Sequence, residues 1–301
     1  MGSDYRPRGV YVPLITPFTE DDAVDVDALE RLGAEVLDAG ARGLIALATT
    51  GEATSLTAEE RDAVIERVAR VCADRPGSEL IVGAGTNDTR ATVERHEALA
   101  NVQGVKASLA VVPYYVRPGE GAIVRHFQAV AERSPVPLVL YNIPYRTGRG
   151  LGPAALLELA ATPNIAGVKQ AVGAVDADTL ELLAAAPDDF AVLGGDDAFL
   201  YPLTLMGARG AVAASAHLCT ERFVAMIDCG LQGRVAEGRE HAEALLPLTR
   251  ALFAEPSPAP LKAVLHAQGR IATPHVRMPL ANASPAVAER AQAAAQGASG
   301  A

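Results

Sequence analysis

Short apolar runs alternate along the chain with longer stretches in which apolar positions recur every three or four residues. The runs lie around Val10–Leu14, Leu44–Leu47, Leu80–Val82, Leu109–Val112, Leu138–Tyr141, Ile165–Val168, Ala191–Leu193 and Ala211–Ala214, each brief and rich in Val, Ile, Leu or Ala. Strands of this kind separated by helical patterns are the organisation of parallel βα units. Eight of them predict an α/β fold, the (β/α)8 or TIM barrel, which typically needs about 250 residues as one domain.

The helical stretches carry their own signals. Thr57 and Glu60 have the capping-box spacing, and Val64, Ile65, Val68 and Cys72 follow on one face. Leu29, Leu32, Val36 and Leu37 form another stripe, which Gly40 ends. Beyond the eighth strand, three further helical stretches near Glu221–Leu231, Arg234–Phe253 and Leu261–Ala267 exceed what a minimal barrel requires. We therefore expect a barrel over residues 1–220 and a C-terminal helical region over 221–301 packed on it. The final AERAQAAAQGASGA shows no apolar stripe and is expected to fray.

Composition narrows the partners. The 301 residues are half hydrophobic with a net charge of −10, so nucleic acid and anionic membranes are repelled on average. No stretch approaches the ~18 uninterrupted apolar residues of a membrane span, and the start, MGSDYRPRGVYV, lacks the long apolar run of a signal peptide. Cys72, Cys219 and Cys229 make no close pair, which fits a reducing, cytoplasmic setting. Only three of the 26 basic residues are lysines, Lys106, Lys169 and Lys262. A lysine in an apolar setting therefore needs a reason.

In a barrel the reactive groups sit at the C-terminal ends of the strands. Lys169 follows the apolar Ile165–Val168, where desolvation would lower its proton affinity and make the amine a nucleophile, a role that arginine cannot fill. A structural ion pair is the competing reading. Tyr141 ends the preceding strand, so its phenol could shuttle protons beside Lys169 or simply be a core tyrosine. Thr49, Thr50 and Gly51 form a turn whose backbone amides could bind a carboxylate, or which only begins a helix. Arg146 could hold a second carboxylate by a bidentate fork or make a surface salt bridge. Asp196 and Asp197 read better as a helix cap than as metal ligands, because none of the six histidines has a ligand spacing. No metal or other cofactor is expected. No GxGxxG, GxxxxGK[ST] or GxSxG string is present.

Taken in order, ATTGEA, PYYVRP, YNIPYRTG, GVK, GGDD and EPSPAPLK resemble the dihydrodipicolinate synthase and N-acetylneuraminate lyase family of class I aldolases, over roughly Gly9 to Leu280. The resemblance implies a homotetramer made of two tight dimers. It implies that Lys169 forms a Schiff base with pyruvate and that Tyr141 donates and accepts protons. Thr49 and Tyr115 would complete the relay, Tyr115 reaching in from a neighbouring subunit. Thr50, the backbone of Val212 and Gly195 of the GGDD segment would contact pyruvate, and Arg146 the carboxylate of an aldehyde co-substrate. Arginine at that place points to L-aspartate 4-semialdehyde and to 4-hydroxy-tetrahydrodipicolinate, in lysine and diaminopimelate biosynthesis.

Three positions depart from the pattern: Ala48 where glycine is usual, Ala53 for serine and Gln170 for glutamate. These leave open another pyruvate aldolase or dehydratase of the superfamily, acting on a sugar acid or a hydroxyproline-derived keto acid. A non-catalytic keto-acid sensor is the reading from a different class. In relatives inhibited by lysine, histidine and acidic side chains occur near the positions held here by Ala58, Arg61 and Ala91, while Asn87 and Tyr114 remain. The charged partner for an ammonium is missing, so millimolar lysine should leave the rate nearly unchanged in a steady-state assay. Halving of the rate would contradict this.

Overall fold

The computed structural model describes residues 5–300. Eight parallel strands close in sequence order into a barrel: β1 Gly9–Pro13, β2 Gly43–Ala46, β3 Glu79–Gly83, β4 Val105–Val111, β5 Leu138–Asn142, β6 Ile165–Gln170, β7 Ala191–Gly194 and β8 Gly210–Val212. The (β/α)8 expectation holds. Strand β4 starts earlier than its apolar run because Lys106 and Ser108 interrupt the run, while β8 ends at Val212 and Ala213–Ala214 already belong to the following loop.

Side chains alternate across each strand, so successive residues face the barrel interior and the surrounding helices. Tyr11, Ile45, Ile81, Val139, Tyr141, Leu193 and Val212 pack together inside. Val10 and Val12, Leu44, and Leu138 and Leu140 face outward into two helix-covered clusters. The same alternation turns Val168 outward. It therefore turns Lys169 inward.

The outer layer comprises α1 Val26–Asp38, α2 Ala58–Ala73, α3 Thr89–Ala98, α4 Glu120–Arg133, the single turn α5 Pro144–Thr147, α6 Pro153–Ala160, α7 Ala177–Ala185 and α8 Leu200–Leu205. Thr57 and Glu60 form the full reciprocal capping box of α2, as their spacing predicts. After β8 come α9 Thr220–Leu231, α10 Val235–Leu252, α11 Ala259–Ala267 and α12 Pro285–Gly300. α9 lies against β1 and β8, and α12 packs on α10 and α11.

The expected fraying of residues 288–301 is corrected by α12, which runs to Gly300; Ala301 lies outside the described residues. Val287, Ala291, Ala295 and Ala298 recur at helical spacing and are buried. Alanine is a weak hydrophobe but the best helix former, so a stripe of small residues lets the helices approach closely.

The C-terminal region is tied to the barrel by an ion pair removed from water. Lys262 in α11 donates from Nζ to Glu52 Oε1 at 2.5 Å and to the carbonyl of His275 at 2.8 Å, over the face of Phe18. Both charged side chains have no exposed surface. Glu52 Oε2 accepts from the Arg277 backbone N–H at 2.8 Å, and Glu52 itself has φ of 51° at the end of the Thr49–Gly51 turn. Burial pushes the Lys262 ammonium down to about 8, and the Glu52 charge opposes that shift. Breaking such a pair from one side leaves an uncompensated buried charge. Lys262→Met should therefore cost about 3–5 kcal/mol of stability in urea unfolding, and the Glu52→Gln/Lys262→Met double variant clearly less. Equal losses in the single and double variants would show that the pair is not the anchor.

Candidate active site

The strand order brings β5 and β6 side by side, and their register pairs Tyr141 with Lys169. Both are buried, and Lys169 Nζ lies 4.1 Å from the centre of the Tyr141 ring. One residue further on, the partners are Asn142 and Gln170. Asn142 Nδ2 donates to Gln170 Oε1 at 3.0 Å, and Gln170 Nε2 donates to Thr179 at 3.1 Å. Asn142 also donates to the Leu151 carbonyl and accepts from the Leu151 N–H, both at 3.0 Å. This buried amide network fixes the two strand ends, and with them the amine and the phenol.

Room for the lysine comes from Gly195, just past the end of β7. A Cβ there would lie 2.9 Å from both Lys169 Cγ and Cε. The sequence reading takes Gly195 as a substrate contact, and in the fold it also flanks the lysine stem.

A cavity of about 30 Å³ opens beside Lys169, lined by Thr49, Thr50, Tyr141, Arg146, Gly195 and Val212 among others. Seven of the eight residues singled out in the sequence thus converge on one small space. Tyr115 does not: it is 87% exposed, at φ of 69°. A larger chamber of about 700 Å³ shares Thr49, Tyr141 and Arg146 with the inner one, so Arg146 stands where the two meet. Its guanidinium also lies 5.6 Å from the centre of the Tyr145 ring. Arg61, Asn87, Ala91 and Tyr114 line the outer chamber together with Arg95. The one acidic side chain on that lining, Asp88, caps α3 by accepting from the Ala91 N–H at 2.7 Å.

The expected Asp cap after β7 is corrected. Neither carboxylate caps the turn that follows. Asp196 Oδ2 accepts from the Gly173 N–H at 2.7 Å, and Asp197 Oδ2 from the Ser215 N–H at 2.6 Å. Adjacent loops at the barrel mouth bring these donors closer than the helix start does. Asp197, Tyr145, Phe253 and Ser257 also line the inner cavity, and the sequence reading does not pick them out as site residues. Phe253 and Ser257 come from the C-terminal region: Ser257 lies within the EPSP segment and Phe253 two residues before it, and that segment is the only sequence signal for them.

Burial is the largest influence on Lys169 and pushes its ammonium down to about 8; the charges of Asp197 and Asp196 act the other way, and neither is hydrogen-bonded to it. Burial raises the carboxyl of Asp197, offset by the Ser215 hydrogen bonds and by Lys169. The Tyr141 phenol is pushed above its ordinary range, again by burial, with Arg146 and a hydrogen bond to Thr49 opposing. The site thus holds an amine whose proton affinity is lowered against a phenol that keeps its proton.

A desolvated lysine facing a tyrosine at the mouth of a closed barrel defines the class: a lyase of the class I aldolase type. Within it, the chain belongs to the dihydrodipicolinate synthetase family, whose model matches residues 6–298. It is 39% identical over 285 residues to the 4-hydroxy-tetrahydrodipicolinate synthase of Moorella thermoacetica, covering 95% of this chain and 96% of that one. The Neisseria gonorrhoeae synthase is 40% identical over 273 residues, 91% and 92% of the two chains. Among solved structures, the chloride-inhibited dihydrodipicolinate synthase from Acinetobacter baumannii, complexed with pyruvate, superposes with a TM-score of 0.92 at 33% identity, covering 97% of this chain and 99% of that one.

The lowered proton affinity of Lys169 sets the pH dependence of any reaction that needs its free amine. Below about pH 8 the group is protonated and inert; above it the neutral amine predominates. The kcat/KM for a ketone substrate should rise about tenfold per pH unit on the acid side and level off beyond about pH 8, since this ratio reports the free enzyme. A profile that climbs unbroken towards the ordinary lysine range would contradict the burial argument.

Proposed function

We propose that this chain condenses pyruvate with L-aspartate 4-semialdehyde to give 4-hydroxy-tetrahydrodipicolinate, through an imine on Lys169. The observation that carries the reading is the paired placement of Lys169 and Tyr141 on neighbouring strand ends, both buried and lining one small cavity.

The neutral Lys169 amine adds to the pyruvate ketone, and the resulting carbinolamine must lose its hydroxyl as water. Tyr141 gives that hydroxyl a proton and recovers one through Thr49. The protonated imine then acts as an electron sink, so the methyl group sheds a proton and becomes an enamine carbon. That carbon attacks the aldehyde of the second substrate. The amine of the semialdehyde displaces Lys169 from the imine as the ring closes, which restores the enzyme.

Thr50, Gly195 and the Val212 backbone surround the place for the pyruvate carboxylate. Arg146, at the junction of the two cavities, suits the carboxylate of the incoming aldehyde by bidentate pairing. The exposure of Tyr115 fits a residue that serves a neighbouring subunit, as in the homotetramer of two tight dimers that the family resemblance implies. Cys72, Cys219 and Cys229 form no disulfide, which fits a cytoplasmic setting. Among the described residues no helix is long and apolar enough to cross a membrane.

The test is the steady-state rate with pyruvate and the semialdehyde, coupled to reduction of the product. A kcat/KM above about 10⁴ M⁻¹s⁻¹ that Lys169→Ala abolishes is expected, with Tyr141→Phe slower by about 10²–10⁴. A negligible rate alongside lysine-dependent turnover of a sugar-acid aldehyde would reassign the co-substrate. A Lys169→Ala variant equal to wild type in every assay would favour a keto-acid sensor.

A further inference from the structure

Away from the barrel mouth, the hairpin between α9 and α10 gathers three ligand types that the proposed reaction does not use. Cys229 lies near the end of α9, and Glu237 and His241 lie one helical turn apart near the start of α10. The sulfur, a carboxylate oxygen and an imidazole nitrogen all lie within 4.8 Å of one another. Around a tetrahedral zinc ion, with bonds of about 2.0–2.3 Å, ligand atoms sit roughly 3.5 Å apart, so small side-chain rotations would close the set.

The backbone that carries these groups is held firmly. Arg234 N–H donates to the Cys229 carbonyl at 2.9 Å across the turn, where Gly233 takes φ of 72°. The Tyr201 hydroxyl donates to the Val235 carbonyl at 2.7 Å, and a Cβ on Gly238 would lie only 2.5 Å from the Tyr201 ring. Arg234 pairs with Glu237 Oε1 and also donates to Gln232 Oε1 at 3.0 Å, which orients the carboxylate. Cys229 is fully buried, His241 half-buried and Glu237 exposed, so the set runs from the protein interior to its surface.

We propose that Cys229, Glu237 and His241 form a binding site for a zinc-type divalent cation that clips α9 to α10. Thiolate and imidazole select zinc over magnesium or calcium, which prefer all-oxygen sets. Binding replaces the thiol S–H bond with a metal–sulfur bond and releases that proton to solvent, while a water molecule completes the fourth position.

Untagged, chelator-treated protein titrated with cobalt(II) should show a thiolate-to-cobalt charge-transfer band that saturates at one equivalent, releases protons and is bleached by zinc(II). Cys229→Ser should lose the band, and His241→Gln should bind at least about tenfold more weakly. Cys72→Ser, which alters a thiol remote from the cluster, should titrate as wild type. His241→Gln changes a half-buried side chain and keeps the test decisive if Cys229→Ser fails to fold. No band in the wild type, a band that survives Cys229→Ser, or undiminished binding by His241→Gln would overturn the site.

Discussion

The arrangement depends on one constraint: an amine has to be held where water cannot stabilise its charge and where no carboxylate pairs with it. A closed barrel supplies such a place, because strand residues that point inward are shielded on every side. Lys169 occupies it, with Asp197 close enough to influence the charge but with its carboxylate oxygen engaged by the Ser215 N–H. Had Asp197 been hydrogen-bonded to the ammonium instead, the lysine would hold its proton more firmly, and the free amine would be scarcer still near neutrality. Loss of side-chain volume at Gly195 is part of the same arrangement, since any larger residue would press on the lysine stem.

Holding the rest of the site still is a second, structural use of charge. The turn that carries Thr49 and Thr50 ends at Glu52, whose carboxylate is gripped by Lys262 and by the Arg277 backbone. The C-terminal region also contributes Phe253 and Ser257 to the inner cavity. The helices beyond the barrel are therefore joined to the substrate end of the molecule. Two of the three lysines in the chain are buried, and their settings differ. Lys262 is paired and structural; Lys169 is unpaired and exposed to a cavity.

Much of this is legible in the sequence where short-range rules apply. Alternation along β6 orients Lys169, and sequential strand order sets Tyr141 beside it without any knowledge of distant contacts. The Thr57–Glu60 spacing likewise specifies the start of α2. The rest depends on encounters between distant segments. Glu52 and Lys262 are separated by 210 residues. The hydrogen bonds that draw Asp196 and Asp197 away from a capping role come from Gly173 and Ser215, on other loops. The alanine stripe of α12 is too weakly apolar to stand out from a polar tail until α10 and α11 are there to cover it.

The most direct test of the central claim is reductive trapping of the enzyme with pyruvate and borohydride, followed by peptide mass analysis. The account predicts one pyruvate-derived adduct per chain on the peptide containing Lys169, and none in Lys169→Ala. An adduct on Lys262 or Lys106, or trapping that persists without Lys169, would contradict it.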